Sequence, residues 1–125
     1  GTTANIIARQ LHRPIMMDLE HDCGDLPPTS HMEGADLITE GILTLTRVAQ
    51  YLEAGEHGGG TDPASALMNL LLDSDILDFV VGSRINEAHQ DPSLPNDIEI
   101  RRTIVRRIAH VLEEKHLKET SVRCI

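Results

Sequence analysis

The sequence has very few aromatic side chains. Among its 125 residues there are one Tyr, one Phe and no Trp, at Tyr51 and Phe79. Proteins that bind single-stranded nucleic acid stack the bases on aromatic rings, so this mode of binding is excluded. The apolar core must consist of Leu, Ile, Val, Ala and Met.

Cysteine is equally scarce. Cys23 and Cys124 lie far apart in the chain and neither belongs to a closely spaced pair. The spacing of a zinc site or a redox pair is therefore missing, and a chain of this length needs no disulfide framework to fold. We expect reduced thiols and a cytoplasmic location.

Positive charge is in short supply. The chain has 11 Lys and Arg residues against 20 Asp and Glu residues, a formal net charge of −9. Such a balance repels phosphate backbones and anionic lipid headgroups. No run reaches the roughly 18 apolar residues of a membrane span, and no signal sequence is visible at the amino end. We expect no nucleic-acid partner and no membrane insertion.

The remaining pattern predicts helices that alternate with strands. Ser30 and Glu33 have the spacing of a capping box, and Asp62-Pro63 has the form of a helix start. Helices are predicted at 2–11, from Ser30 to Leu52, at 63–73 and from Asp97 onward. Strands are predicted at 15–20, 76–81 and 120–125.

This order predicts one α/β domain over residues 1–125. We expect a largely parallel sheet of about three strands covered by about four helices. A helix that begins at the second residue normally follows a strand in such folds. The first strand of the sheet is therefore expected to be missing from the chain.

Two polar clusters fall where open α/β sheets bind ligands, beyond the carboxyl ends of the strands. At the first helix start, Thr2, Thr3 and Asn5 accompany unpaired amide groups that can hold an anion. The second cluster combines an anion-binding guanidinium with a candidate general base, at Arg84, Asn86, His89 and Gln90. An ordinary helix cap and a loop held by its own hydrogen bonds are the alternative explanations.

Two further groups contain potential metal ligands. Three carboxylates lie near the predicted start of the second helix, at Glu33, Asp36 and Glu40. A cation could bridge them, but stabilisation by the helix dipole is the favoured explanation. A loop carries His21, Asp22, Cys23 and Asp25 without zinc spacing. We therefore predict no metal and no cofactor in this chain.

The last helix is basic although the protein is acidic. It carries Arg101, Arg102, Arg106 and Arg107. These residues can dock an acidic partner or a neighbouring domain, but a solvated helix surface is the favoured explanation.

No complete catalytic centre is visible in the sequence. A nucleophile elbow, a Walker loop, a dinucleotide fingerprint and a paired Asp-Gly metal motif are all missing. Metal-dependent hydrolysis needs several preorganised carboxylates, and the loops supply no convincing set. We therefore assign no catalytic residue.

Three ordered segments resemble a known family. They are residues 1–9 (GTTANIIAR), 33–45 (EGADLITEGILTL) and 79–92 (FVVGSRINEAHQDP). Together they resemble the carboxyl-terminal region of bacterial serine phosphatases of the stage II sporulation protein E type. The resemblance implies an appended domain that follows a Mn²⁺- or Mg²⁺-dependent catalytic domain. The parent would remove phosphate from serine or threonine of a signalling phosphoprotein, and its metal-binding motifs are not found in this chain.

The leading hypothesis is a non-catalytic regulatory or ligand-sensing domain of such a phosphatase, with the catalytic domain as its neighbour. One alternative is a separate small-molecule enzyme in which His89 acts as a base and Arg84 holds an anionic substrate. Another is an interaction module that docks through the arginines of the last helix.

Overall fold

The computed structural model describes residues 2–18, 25–55, 60–82 and 97–125, apart from the side chains of residues 2, 97 and 98. Within these ranges the chain forms four α-helices and five β-strands. In chain order they are α1 (Thr2–Leu11), β1 (Met16–Met17), β2 (Ser30–Met32), β3 (Ala35–Ile38), α2 (Gly41–Glu53), α3 (Pro63–Asp73), β4 (Ile76–Val81), α4 (Asp97–His116) and β5 (Glu119–Cys124).

The main core lies where α2, α3 and α4 meet. Val48, Leu52, Met68, Ile108 and Leu112 are at most 1% exposed. The two residues of α2 and the two of α4 are each four positions apart, which places each pair on one side of its helix. The two aromatic residues only border this cluster and are partly buried. The core is thus built from aliphatic side chains and Met, as the composition predicts.

The helix α4 also connects the two strands of a parallel sheet. β4 and β5 pair in parallel over six residues each, from Ile76 opposite Glu119 to Val81 opposite Cys124. Parallel strands need such a crossover, because the chain must return to the end at which the first strand began. Leu77 and Phe79 of β4 pack against the main core. The side chains at even positions of β4 from Ile76 to Val80, and at odd positions of β5 from Glu119 to Arg123, are exposed.

The amino-terminal part forms a small antiparallel sheet in the order β1-β2-β3. Met16 pairs with His31 and Met17 with Ser30, while Met32 pairs with Ala35 across a two-residue turn. Gly34 lies in that turn at φ +99°, a conformation that a side chain would strain. Ala8 of α1 packs on the buried side chains of this sheet, Met32 and Ile38.

The prediction of one largely parallel sheet is wrong. The described strands form a three-stranded antiparallel sheet and a separate two-stranded parallel sheet. The error arises at residues 30–38, where the capping-box spacing of Ser30 and Glu33 occurs in a β-hairpin instead of a helix start. Gly41 has φ +84°, so no helix can run through it, and α2 begins only there. The helices α1, α3 and α4 and the strands β4 and β5 lie where they are predicted.

No described helix has the combined length and apolar character that membrane crossing requires.

A hydrogen-bond network joins α2 to the start of α3. The carboxylate of Asp62 accepts hydrogen bonds from the Ser65 N–H at 2.9 Å and from the Tyr51 hydroxyl at 3.2 Å. Burial raises the pKa of Asp62, but the hydrogen bonds from Ser65 and Tyr51 outweigh it and leave the pKa below its usual value. Because the folded state prefers the ionised form, Asp62 stabilises the fold above pH 3.8 and loses this effect as pH falls through its folded-state pKa.

We expect Asp62→Ala to lower the free energy of unfolding by about 1 kcal/mol at neutral pH, since a helix cap is lost. Asp62→Asn is the matched control, because Asn caps a helix but has no carboxyl group to titrate. It should keep most of the stability and flatten its dependence on pH below about 4. Urea unfolding at a series of pH values measures both effects. An unchanged pH profile in Asp62→Asn would contradict the assignment.

Candidate functional site

Most of the predicted anion site lies outside the described residues. This applies to Arg84, Asn86, His89, Gln90 and the side chain of Thr2. Thr3 and Asn5 are exposed on α1. They lie about 200° apart around the helix, so their side chains point to different sides of it. The anion site therefore stays a prediction.

The candidate metal ligands are dispersed. Glu33 lies in the hairpin turn, where its carboxylate binds Arg13 at 2.7 Å, and Asp36 is exposed on β3. Only Glu40 is at a helix start, as the residue before α2, and its side chain makes no capping hydrogen bond. The expectation of three carboxylates near one helix start is therefore wrong.

The predicted ligand loop is only partly described. Its residues His21, Asp22 and Cys23 lie outside the described ranges, and Asp25 forms an ion pair with Arg47 at 2.8 Å. A hydrogen bond from Arg47 is the largest cause that holds the pKa of Asp25 below its usual value. Over the described ranges, no three His, Cys, Asp or Glu side chains come together in a way that could hold a metal ion.

The four arginines of α4 do not form one continuous surface. Successive helical residues are rotated by about 100°, so Arg102 and Arg106 share one side whereas Arg101 and Arg107 point elsewhere. Arg101 donates a hydrogen bond to the Gly82 carbonyl at 3.0 Å, and Arg107 forms an ion pair with Glu53 of α2. These two side chains therefore contact neighbouring elements of the chain itself.

Of the other two arginines, one is partly buried and one is exposed. Arg102 pairs with Glu99 one turn earlier at 3.2 Å, while its Nε is buried and has no hydrogen-bond partner. Arg106 is exposed. Of the predicted docking set, Arg106 thus presents its charge most openly, and docking through this helix stays a prediction.

An exposed apolar surface lies on α1 and β1. Of the twelve exposed large apolar side chains in the described ranges, five fall within residues 6–17 and are 44–68% exposed. The others are spread over four further elements, one connecting segment and the chain end. We use the name α1–β1 surface for these five, which project from more than one side of α1 and β1: Ile6, Ile7, Leu11, Met16 and Met17. Isolated exposed apolar residues are ordinary, and these five are distinguished by falling within the short stretch of residues 6–17.

A shallow groove of about 360 Å³ borders this surface. It is lined by Pro14, Met16, His31, Met32 and Glu33. The His31 Nε2 atom lies 3.5 Å from a carboxylate oxygen of Asp18. The groove therefore has apolar walls from Pro14 and the two methionines, and a polar rim that carries an imidazole beside a carboxylate.

The α1–β1 surface is absent from the predictions above, although the sequence carries a signal for it. Met16 and Met17 are consecutive, and consecutive strand residues point to opposite faces. A strand that buries only one face cannot bury both of them. Ile6 lies about 160–200° around α1 from Ala4 and Ala8, so a helix that packs through these two alanines leaves it exposed.

Comparison of the chain with known protein families, with curated proteins and with solved structures gives no match.

The ion pair between Arg107 and Glu53 predicts that Arg107 contributes more to stability than Arg106 does. Arg107→Glu places two negative charges side by side, and we expect the free energy of unfolding to fall by about 0.5–1 kcal/mol. Arg106→Glu is the matched control, since it makes the same charge change at an exposed position of α4. Its effect should stay within about 0.5 kcal/mol. Urea unfolding at low salt measures the difference in stability. Equal losses in the two variants would contradict a stabilising ion pair at Arg107 and an unpaired charge at Arg106.

Proposed function

We propose that this chain is a non-catalytic regulatory domain of a stage II sporulation protein E type phosphatase. It acts by packing its α1–β1 surface against the metal-dependent catalytic domain of the same protein. The observation that carries the proposal is the exposure of five large apolar side chains within residues 6–17.

The chemistry of this surface fits a neighbouring protein domain. Burial of apolar area stabilises association by about 25 cal/mol for each Å² removed from water. A domain attached in the same chain is present at a high effective concentration, so a modest interface suffices to hold it. The net charge of −9 works against binding to other acidic surfaces, and an apolar contact avoids that repulsion.

Under this proposal the parent protein carries out the phosphoester hydrolysis. Its catalytic domain would bind Mn²⁺ or Mg²⁺ and hydrolyse phosphoserine or phosphothreonine of a phosphoprotein in the cytoplasm. The metal would activate a water molecule there. Within its described ranges this chain offers no side-chain cluster suited to a metal ion, so we derive no catalytic step for it. Its contribution is to contact the catalytic domain and alter that domain's activity.

The proposal predicts that Ile7→Asp combined with Met16→Asp weakens binding to the separately produced catalytic domain at least about tenfold. Each substitution places a carboxylate in an interface that must exclude water. Both side chains are already exposed, so the fold should be retained. Isothermal titration calorimetry measures the affinity, and circular dichroism checks the fold.

Leu43→Asp is the matched control, because Leu43 has a comparable exposure on α2, outside the α1–β1 surface. It should bind as the unmodified chain does. Equal affinities of the control and the double variant would contradict the assigned surface. A gene that encodes this chain without a metal-dependent phosphatase domain would contradict the proposed function itself.

A further inference from the structure

The strand β5 has a free edge in the described part of the chain. Over the described residues its sheet consists of β4 and β5, and β5 pairs with β4 along one side. A two-stranded sheet is marginal by itself, and an unpaired strand edge is a template for another strand. The free edge of β5 can therefore pair with a further strand.

The backbone of β5 defines which groups that edge offers. The N–H of Glu119 binds the Asp75 carbonyl and the N–H of Ile125 binds the Val81 carbonyl, so odd-numbered residues direct their backbone groups toward β4. Backbone groups alternate in direction along a strand. The N–H and carbonyl groups of Thr120 and Val122 therefore point to the free edge.

The side chains of β5 carry opposite charges at symmetric positions. Glu119 and Arg123 lie two residues before and two residues after Ser121, and all three side chains are exposed. Side chains two positions apart project from the same face of a strand. Within the described ranges neither Glu119 nor Arg123 has an ion-pair partner.

We infer that two copies of this chain associate through β5, antiparallel, about a two-fold axis at Ser121. In this register Thr120 lies opposite Val122 of the second copy, and the two residues exchange backbone hydrogen bonds. Glu119 lies opposite Arg123 of the second copy in a non-hydrogen-bonded pair, where side chains approach most closely. The two-fold axis creates each contact twice.

The charges select this register among those that the backbone allows. A pairing centred on Thr120 or Val122 would place Ser121 opposite Glu119 or Arg123 and leave a charge unpaired. The strand β4 has only one charged side chain, Asp78, so its edge offers no complementary pair. The result is a four-stranded sheet in the order β4-β5-β5-β4, which meets the need for more than two strands.

The expected association is weak and concentration-dependent. A single pair of six-residue strands buries less area than the roughly 1,200–2,000 Å² of a stable interface. We expect a dissociation constant of about 1–100 µM. Sedimentation velocity on the whole chain over this range, with a reductant present to keep Cys124 free, should show a monomer–dimer equilibrium.

Charge swaps test the register. Glu119→Arg places two guanidinium groups opposite each other in both symmetry-related pairs, and Arg123→Glu places two carboxylates opposite each other there. Each variant alone should therefore dimerise at least about tenfold more weakly. An equimolar mixture of the two variants should form a heterodimer, because both of its pairs are attractive. One is the original pair of Glu119 with Arg123, and the other joins the two substituted side chains, which also have opposite charges. The double variant Glu119→Arg, Arg123→Glu also restores the pairs and should dimerise like the unmodified chain.

Glu114→Arg and Arg106→Glu make the same charge changes on exposed positions of α4 and should leave the equilibrium unchanged. Hydrogen exchange gives a second readout. The amides of Thr120 and Val122 should slow on dimerisation, while that of Ser121, already directed toward β4, should change little. A chain that stays monomeric throughout this concentration range, or single variants that fail to associate when mixed, would overturn the inference.

Discussion

The packing of α4 against α2, which in turn packs against α3, is the interaction on which the rest of the structure depends. It buries Leu52, Met68, Ile108 and Leu112 almost completely. The same helix is the crossover between β4 and β5, so the helical core also sets the separation and direction of the parallel strands. With so few aromatic residues, this close packing of aliphatic side chains has to supply the main apolar contribution to folding.

One helix covers only one face of a sheet, and this limit shapes the surface of the protein. Leu77 and Phe79 pack against the core, while Ile76 and Val80 remain exposed on the other face. Parallel strands are normally covered on both faces. At the amino end, Ala8, Met32 and Ile38 form a smaller cluster that leaves the α1–β1 surface open. Both candidate contact regions, the α1–β1 surface and the free edge of β5, thus arise because no described element covers them.

Local signals predict α3, α4, β4 and β5 well, because each has a defined start, a compact apolar run or an alternating pattern. The Asp62-Pro63 pair allows few structures other than a helix start, and the hydrogen bond to Ser65 confirms it. Ser30 and Glu33 carry no comparable restriction, because their spacing is compatible with a hairpin as well as a helix. The choice between them depends on Met32 and Ile38, which are buried against Ala8 of α1. That long-range contact leaves no local trace in the sequence.

The sequence by itself determined an aliphatic core, a strongly acidic surface and the helix starts that depend on one or two neighbouring residues. It also set the symmetric spacing of Glu119 and Arg123 along β5. Only the tertiary structure decided that Arg101 and Arg107 contact Gly82 and Glu53, that residues 30–38 form a hairpin, and which edge of β5 is free. The physical reason is that dihedral preferences act between near neighbours, whereas strand pairing and ion pairs depend on which distant segments meet in space.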